Sequence, residues 1–216
     1  MFEQDNNKGY FTMQGATQTG IIAKTFMSRV FGWMSLAMVV TAVTASRLGS
    51  KVGFITRVGN DAFKDFLLDS WVAENIDVNY VRLVEGSNGL YIVSRQPDGK
   101  KEFAFYRKKS AATMLSIDDI PEDYIERASI VYSTGITQSL SQSARDAVNK
   151  AYFVAKCKQT LTAYDPNFRS DLWSASEAKE AFEEIIDNVD ILLLNSRHDG
   201  ERLFGLNSPD KIIKTF

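Results

Sequence analysis

The stretch YDPNFRSDLW, residues 164–173, places an acid, an amide and an arginine directly after a short apolar run. Arg169 can pair with a carboxylate or a phosphate through two parallel hydrogen bonds, and Asp165 and Asn167 can orient the loop that carries it. The same residues could instead form only an Asx-type turn around Pro166 and leave Arg169 exposed. The loop could therefore bind an anion through Arg169, or it could be a structural turn only, and both interpretations stay open at this point.

Polar residues also end two other apolar runs of the chain. Ser133 to Gly135 end the run ASIVYSTG, and Asn195 and Ser196 end the run DILLLNS. In open α/β sheets, ligands bind beyond the carboxyl ends of the strands, because loops and helix N-termini converge there. We therefore expect a ligand site built from these loops and the loop that carries Arg169.

The elements that must position these loops alternate along the chain. Short apolar runs predict strands over residues 51–59, 128–135, 161–167 and 190–196. Apolar side chains at helical spacing predict helices that start at Asn60 or Asp61, span 139–156, and start at a capping box of Ser174 and Glu177. This alternation predicts an α/β architecture with a parallel sheet covered on both faces.

The predicted helices each carry an apolar stripe that we expect to be buried. The stripe residues are Phe63, Phe66, Leu67 and Trp71 in the first helix, Ala144, Val148, Ala151, Tyr152 and Ala155 in the second, and Ala178, Ala181, Phe182, Ile185, Ile186 and Val189 in the third.

One segment interrupts the alternation of strands and helices. Two runs with alternating polarity flank a turn sequence, namely GLYIVSR (89–95), KEFAFYR (101–107) and Pro97-Asp98-Gly99. This pattern predicts an antiparallel hairpin, with Tyr91 and Val93 on one face of their strand and Phe105 and Arg107 on one face of the other. Such a hairpin could form a lid, form a dimer surface, or cover the main domain.

The composition excludes several classes of function. The chain has 216 residues, 44% of them hydrophobic and 24% charged, which is typical of a globular protein with a substantial core. Its 25 Lys and Arg residues balance 27 Asp and Glu residues without a basic block, so no nucleic-acid partner is expected. A single cysteine, Cys157, and a single histidine, His198, exclude an internal disulfide and any site with two imidazole ligands. We expect a cytoplasmic protein.

The first 45 residues differ in kind from the rest. A polar leader precedes the uncharged run VFGWMSLAMVVTAVTAS, residues 30–46. Its length is marginal for a membrane span, so a membrane helix and a buried helix both remain open. The leader lacks the basic start and the cleavage site of a signal peptide, so secretion is not expected.

Four ordered motifs stand between about Ala42 and the C-terminus, namely SRLGSKVGFITRVGNDAFKDFLLDSWVAENIDVNYV, FYRKKSAA, STGITQSLS and YDPNFRSDLWS. With these motifs, this part of the chain resembles the ribokinase-like, PfkB-type carbohydrate kinase family, and within it the 2-keto-3-deoxygluconate kinases. It implies a Rossmann-like α/β domain with a small β lid. It also implies ATP and Mg²⁺ as cofactors and phosphate transfer to a hydroxyl of a sugar acid.

The resemblance also implies roles for particular residues. Those that fall where the sugar acid is bound are Tyr91, Phe105, Arg107 and Arg169, and those near the magnesium and the phosphates of the nucleotide are Ser196 and Asp199. Phe105 stands where such kinases often have a second tyrosine, which leaves the identity of the sugar open. Ser196 and Asp199 differ from the Asn and Glu that are commoner in that region. No metal ligand is assigned.

The family's catalytic aspartate lies in a G-A-G-D motif, and this sequence contains no G-x-G. No catalytic residue is therefore assigned, and we expect a C-terminally truncated kinase domain without turnover, since general base and oxyanion stabilisation are both lost. Ser35, Leu36 and Val40 stand about where the family has a glycine pair and a sugar-binding asparagine. Residues 10–45 instead resemble the first membrane segment of the Bax-inhibitor family, which indicates a fused chain.

The sequence thus predicts an N-terminal part over residues 1–45 and a partial sugar kinase domain over 46–216, with a lid hairpin at about 89–107. The apolar N-terminal helix is expected to pack poorly on the kinase-like part. Alternatives to a kinase are a sugar-acid binding module without catalysis and a membrane-anchored fragment. The partners considered are a small sugar acid, a membrane contacted through residues 30–46, and a second copy of the chain contacted through the lid.

Overall fold

The computed structural model describes residues 38–95 and 101–216, and every structural statement below concerns these two ranges. The helices are α1 (Met38–Arg47), α2 (Lys64–Ala73), α3 (Glu122–Arg127), α4 (Gly135–Gln138), α5 (Gln142–Cys157), α6 (Ala175–Glu183), α7 (Glu201–Phe204) and α8 (Pro209–Thr215). The strands are β1 (Val52–Gly59), β2 (Ile76–Val84), β3 (Leu90–Arg95), β4 (Lys101–Tyr106), β5 (Ile130–Thr134), β6 (Leu161–Asp165) and β7 (Ile191–Leu192).

The strands β1 and β2 form a parallel pair, connected through α2. The sequence analysis does not predict β2. Its sequence IDVNYVRLV carries polar or charged side chains at Asp77, Asn79 and Arg82, which obscure the apolar pattern of a buried parallel strand. Trp71 of α2 packs edge-on against Phe54 of β1, with the ring centroids 4.9 Å apart. The predicted stripe of this helix is therefore buried at Trp71, whereas Phe66 lies at the surface.

The helix α1 is the described end of the uncharged N-terminal run. Ala42 is 7% exposed and packs into one core cluster with Val58, Trp71 and Ile76. The described end of the run thus packs on the first sheet, whereas residues 30–37, to which the expectation of poor packing chiefly applies, lie outside the described ranges. In the part of the chain that the structure describes, no helix is long and apolar enough to cross a membrane. Residues 1–37 lie outside the described ranges, and the division of the chain near residue 45 stays a prediction.

The strands β5, β6 and β7 form a second parallel sheet, in that order. One face packs on α5 and α6. The predicted stripe of α5 is confirmed, whereas α6 ends at Glu183, so that the predicted stripe residues Ile185, Ile186 and Val189 follow the helix, and the last two are half-buried. The fully buried stripe residues include Ala144, Tyr152, Ala155, Ala181 and Ile185. The opposite face carries Ile130, Leu161, Ile191 and Leu193, which are 46%, 52%, 41% and 48% exposed. The described residues thus form the predicted parallel α/β architecture, but as two parallel sheets rather than one.

The strands β3 and β4 form the predicted antiparallel hairpin, with Tyr91 opposite Phe105. The turn sequence Pro97-Asp98-Gly99 lies outside the described residues. The predicted capping box is also present: Ser174 Oγ accepts a hydrogen bond from Glu177 N, and Ser174 N donates to the Glu177 carboxylate. The fold therefore offers a two-stranded lid beside parallel strands whose carboxyl ends carry the polar loops.

Candidate functional site

The loop after β6 begins with a tight turn. Asp165 Oδ1 accepts a hydrogen bond from Asn167 N at 2.9 Å, and Asn167 has a positive φ of 40°. This is the Asx-type turn around Pro166 that the sequence left open, and the Arg169 side chain is exposed, as that alternative predicts. The turn does not exclude ligand binding, since an exposed arginine at a fixed position can still pair with an anion.

A buried carboxylate holds this loop from the other side. Asp199 is 2% exposed; its Oδ1 accepts from Phe168 N at 2.8 Å and its Oδ2 accepts from Asn195 N at 3.1 Å. The loops that follow β6 and β7 are thereby joined through one side chain. The Asp199 carboxylate is hydrogen-bonded to the backbone of its own chain, whereas Ser196 is half-buried at the start of the same turn.

The turn that contains Asp199 is a single π-helical turn over Ser196–Gly200, in which Gly200 N donates to Asn195 O at 3.0 Å. The Asn195 side chain closes its start, because Oδ1 accepts from the backbone N–H groups of Arg197 and His198. A π turn holds one residue more than an α-helical turn, and such turns are frequent at functional sites. Nothing in the polar sequence NSRHDG predicts this turn.

The start of α4 touches the same loop. A Cβ atom on Gly135 would lie 2.2 Å from Pro166 O, so only glycine permits this approach. Thr134, which precedes it, pairs in register with Asp165. The segments after β5 and β6 that the sequence placed at one ligand site are therefore adjacent.

Buried tyrosines fix the strands beneath these loops. Tyr164 Oη donates to Gln138 Oε1 at 2.6 Å, and Gln138 Nε2 donates to Ala181 O at 3.2 Å. Tyr152 Oη donates to Ala163 O at 2.5 Å and accepts from Ser133 N at 3.0 Å. Burial raises the pKa of both phenols, so both stay protonated donors. Buried hydrogen bonds thus hold the strands that carry these loops.

Asp165 is the half-buried carboxylate of the loop. Burial raises its pKa, the negative charge of Asp199 raises it further, and the Asn167 N–H and the Arg169 guanidinium oppose these effects. A carboxyl group of this kind holds a proton more tightly than an exposed aspartate and can exchange it with a bound hydroxyl.

The hairpin side chains that the resemblance assigned to the sugar acid lie together. The rings of Tyr91 and Phe105 are 5.7 Å apart, and Arg107 Cζ stands 4.3 Å from the Phe105 ring centroid. Burial lowers the pKa of Arg107; the Asp171 carboxylate raises it, and the positive charge of Arg169 lowers it again. Arg107 on the hairpin is thus influenced by two charges of the loop after β6, the Asp171 carboxylate more strongly than the Arg169 guanidinium.

Sequence analysis missed residues at the root of the hairpin. Asp61 was predicted only as an alternative helix cap, but α2 begins at Lys64 with Phe63 as its N-cap residue and no side-chain cap, and Asp61 accepts instead from Phe63 N at 2.9 Å. It also binds Asn88, which precedes the hairpin and was not singled out. The signal available was weak: a polar Ser-Asn-Gly sequence before an alternating strand, which is typical of any turn.

The described residues do not form a magnesium site. Within 38–95 and 101–216, no group of three or more His, Cys, Asp or Glu side chains is arranged to hold a metal ion. Asp199 is hydrogen-bonded to backbone N–H groups through both oxygens, and hard cations require several free oxygen ligands. The assignment of Ser196 and Asp199 to the nucleotide therefore stays a prediction.

Comparison with known proteins yields a consistent result. Residues 40–216 match the model of the pfkB family carbohydrate kinases. The chain is 31% identical over 179 residues to the 2-dehydro-3-deoxygluconokinase of Thermoproteus tenax, which covers 81% of this chain and 54% of that protein. It is 33% identical over 153 residues to probable fructokinase-2 of Arabidopsis thaliana, with 70% and 46% covered.

The fold agrees with that match. A structure of a protein assigned as ribokinase II from E. coli, in complex with ATP and Mg²⁺, superposes with a TM-score of 0.70 at 25% identity and covers 80% of this chain and 55% of that one. The predicted ribokinase-type α/β fold is thus confirmed. The chain spans about half the length of the curated relatives it matches. The match starts at residue 40, and the resemblance of residues 10–45 to a membrane-protein family stays a prediction.

Proposed function

Because the chain belongs to the pfkB family of carbohydrate kinases, we propose that it supplies the sugar-binding part of a kinase that transfers the γ-phosphate of ATP to a hydroxyl of a sugar acid. The substrate proposed is 2-keto-3-deoxygluconate, which is also called 2-dehydro-3-deoxygluconate. ATP with Mg²⁺ is the proposed phosphate donor, and the ion would neutralise charge on the phosphates.

One observation supports a sugar acid above other sugars. Two guanidinium groups, Arg107 and Arg169, act on each other electrostatically, and the Asp171 carboxylate, whose effect on Arg107 is the larger, supplies one negative charge against their two positive charges. A carboxylate between the two guanidinium groups would balance the remaining positive charge and could accept paired hydrogen bonds from each guanidinium. A neutral ketose, the substrate class that the name of the fructokinase relative indicates, offers no such charge.

The neighbouring side chains have definite roles in this proposal. Phe105 supports the Arg107 guanidinium through a cation–π contact and keeps it in place as water is displaced. Tyr91 offers a phenol to a sugar hydroxyl. Asp165, with its raised pKa, lies on the same loop as Arg169 and can accept a hydrogen bond from a hydroxyl of the bound sugar.

A homodimer through the hairpin belongs to the same proposal. Ile92 and Tyr106 lie on the face of the hairpin opposite Tyr91 and are both more than half exposed. An apolar surface of this kind on a small sheet can pair with its symmetry mate. Sedimentation of the wild-type chain and of an Ile92→Lys variant measures this directly, and an unchanged monomer in both would exclude the dimer.

Calorimetric titration with 2-keto-3-deoxygluconate and with fructose tests the substrate. We expect the sugar acid to bind and Arg169→Ala to weaken binding about ten- to a hundredfold, since a hydrogen bond to a charged group contributes roughly 1.5–3 kcal/mol. The matched control is Arg127→Ala, which removes an exposed guanidinium that pairs with Asp123 on α3. Tighter binding of fructose, or equal affinities of the parent and the Arg169 variant for the sugar acid, would overturn the proposal. Turnover of ATP, which the sequence analysis does not expect, is measured separately.

A further inference from the structure

Four hydrogen bonds of Asn88 fasten the root of the hairpin, residues 87–89, to the end of β1 and to the turn that follows it. Its backbone N donates to Asp61 Oδ2 at 2.6 Å, and its Nδ2 donates to Asp61 Oδ1 at 2.7 Å and to Gly59 O at 3.0 Å. Its Oδ1 accepts from Gly59 N at 2.9 Å. Every polar atom of the Asn88 side chain is engaged, which fixes the side-chain rotamer and the backbone together.

The two backbones are in direct contact at this point. A Cβ atom on Gly59 would lie 2.5 Å from Gly86 O and 2.8 Å from the carbonyl carbon of Ser87, so a larger residue cannot stand there. The chain that follows β4 returns to residue 87, because Ala111 N donates to Ser87 O at 2.9 Å. The segment before β3 is therefore bonded both to the end of β1 and to the segment after β4.

This segment bears directly on the sugar-acid residues. Gly89 follows Asn88, and a Cβ atom on it would lie 3.2 Å from Cβ of Arg107. Tyr91 follows two residues later on the same strand. A change in the backbone at Asn88 and Gly89 must therefore move the base of the Arg107 side chain and the start of the strand that carries Tyr91.

The Asp61 carboxylate is charged in this arrangement. Its partial burial alone would raise the pKa, but the N–H groups of Asn88 and Phe63 donate to it and leave the pKa below the ordinary value. A charged acceptor makes each of these hydrogen bonds stronger than a bond between neutral groups.

We infer that Asp61 and Asn88 are positioning residues that set the place of the hairpin, and with it of Arg107 and Tyr91, for the sugar acid. The ligand part of this inference rests on the proposed function, whereas its structural part does not. Neither residue is placed in contact with the substrate, and both act through the backbone of residues 87–89.

Three variants and one neighbouring control test this inference. Asn88→Asp places two carboxylates together, Asp61→Asn removes the charge, and the double variant restores one reciprocal amide–carboxylate pair. Should Asn88→Asp not fold, Asn88→Ser removes the amide without adding charge. The control is Asn60→Ala, which deletes an exposed amide of the same turn whose Nδ2 lies 3.2 Å from Glu85 Oε1.

Hydrogen exchange is the readout that does not depend on a ligand. We expect amides of β3 and β4 to exchange about tenfold faster in the single variants, and to recover in part in the double variant, because freeing the root lowers the cost of local opening. Amides of β5 and β6, and all amides of the control, should keep their rates. Unchanged hairpin exchange in the single variants would overturn the inference.

Titration with 2-keto-3-deoxygluconate is the second readout. The single variants should bind this sugar acid about tenfold more weakly than the parent, and the double variant should recover part of the loss. Single variants that bind as tightly as the parent would overturn the positioning role. A parent that does not bind, together with the expected exchange rates, would overturn the proposed function and leave the fastening role of Asp61 and Asn88 in place.

Discussion

The buried carboxylate of Asp199 accepts a hydrogen bond from the backbone N–H of Phe168, 2.8 Å away, and so holds the residue before Arg169 in place. The second oxygen accepts from Asn195 N in the loop after β7. Two loops from neighbouring strands thus depend on one side chain. The exposed arginine of the candidate site owes its position to an acid that is itself withdrawn from solvent.

Asp199→Ala should lower the free energy of unfolding by about 3 kcal/mol, because two backbone N–H groups lose a charged acceptor in a buried place. Urea denaturation followed by tryptophan fluorescence measures the change. Asp187→Ala is the matched control, since Asp187 is an exposed carboxylate on the turn before β7. Equal losses in the two variants would show that Asp199 does not hold the loops.

Gly135→Ala should destabilise the protein by roughly 3 kcal/mol or displace the loop after β6, because the added methyl group would overlap Pro166 O. Thermal unfolding reports the loss of stability. Gly205→Ala serves for comparison: Gly205 has a positive φ of 68° with no atom within 4 Å of the new Cβ, so only backbone strain of about 1 kcal/mol is added. A smaller effect at Gly135 than at Gly205 would rule out the close approach.

Tyr164→Phe should cost about 1–3 kcal/mol, because Gln138 Oε1 would lose its donor inside the protein while the ring keeps its packing against Tyr152 and Phe182. Tyr106→Phe, at a tyrosine that is 61% exposed, should leave the midpoint of urea unfolding unchanged. The hypothesis fails if the two phenylalanine variants unfold at the same urea concentration.

Asp165→Asn should stabilise the protein at neutral pH and change the pH dependence of unfolding. The folded state raises the pKa of Asp165 above its ordinary value of 3.8, so it binds the proton more tightly than the unfolded chain does. The stability that this group contributes is therefore present at low pH and is lost as the pH rises through the raised pKa. The asparagine side chain can still accept a hydrogen bond from Asn167 N, but it does not ionise. The variant therefore does not lose stability as the pH rises.

Urea midpoints of the parent and the Asp165→Asn variant across the acid range measure that effect. The difference between the variant and the parent should grow with pH above 3.8 and then level off above the raised pKa. A difference that is constant with pH would mean that the pKa of Asp165 is the same in the folded and unfolded states.

Local patterns predicted the parts of the fold that depend on neighbouring residues. The stripe of α5, the capping box at Ser174 and the alternation of the hairpin all arise within one or two turns of sequence, and all are confirmed. The strand β2 escaped prediction because its polar side chains break the apolar run.

The contacts that organise the candidate site lie beyond such patterns. Asp199 reaches Phe168 across 31 positions of the chain and Asn88 reaches Asp61 across 27. The side-chain repeats of strands and helices, every two and every 3.6 residues, carry no information about pairs so far apart in the sequence. The family resemblance assigns Asp199 to the nucleotide, which stays a prediction, and the fold adds that its oxygens accept from backbone N–H groups.

The second sheet has a practical consequence for handling the protein. Ile130, Leu161, Ile191 and Leu193 lie in or next to its three strands, and each is between two fifths and a little over one half exposed. Exposed aliphatic side chains of this kind bind hydrophobic dyes and favour aggregation as the protein concentration rises. Titrations with sugar acids should therefore use low protein concentrations, with light scattering recorded in parallel, so that heat of aggregation is not taken for heat of binding.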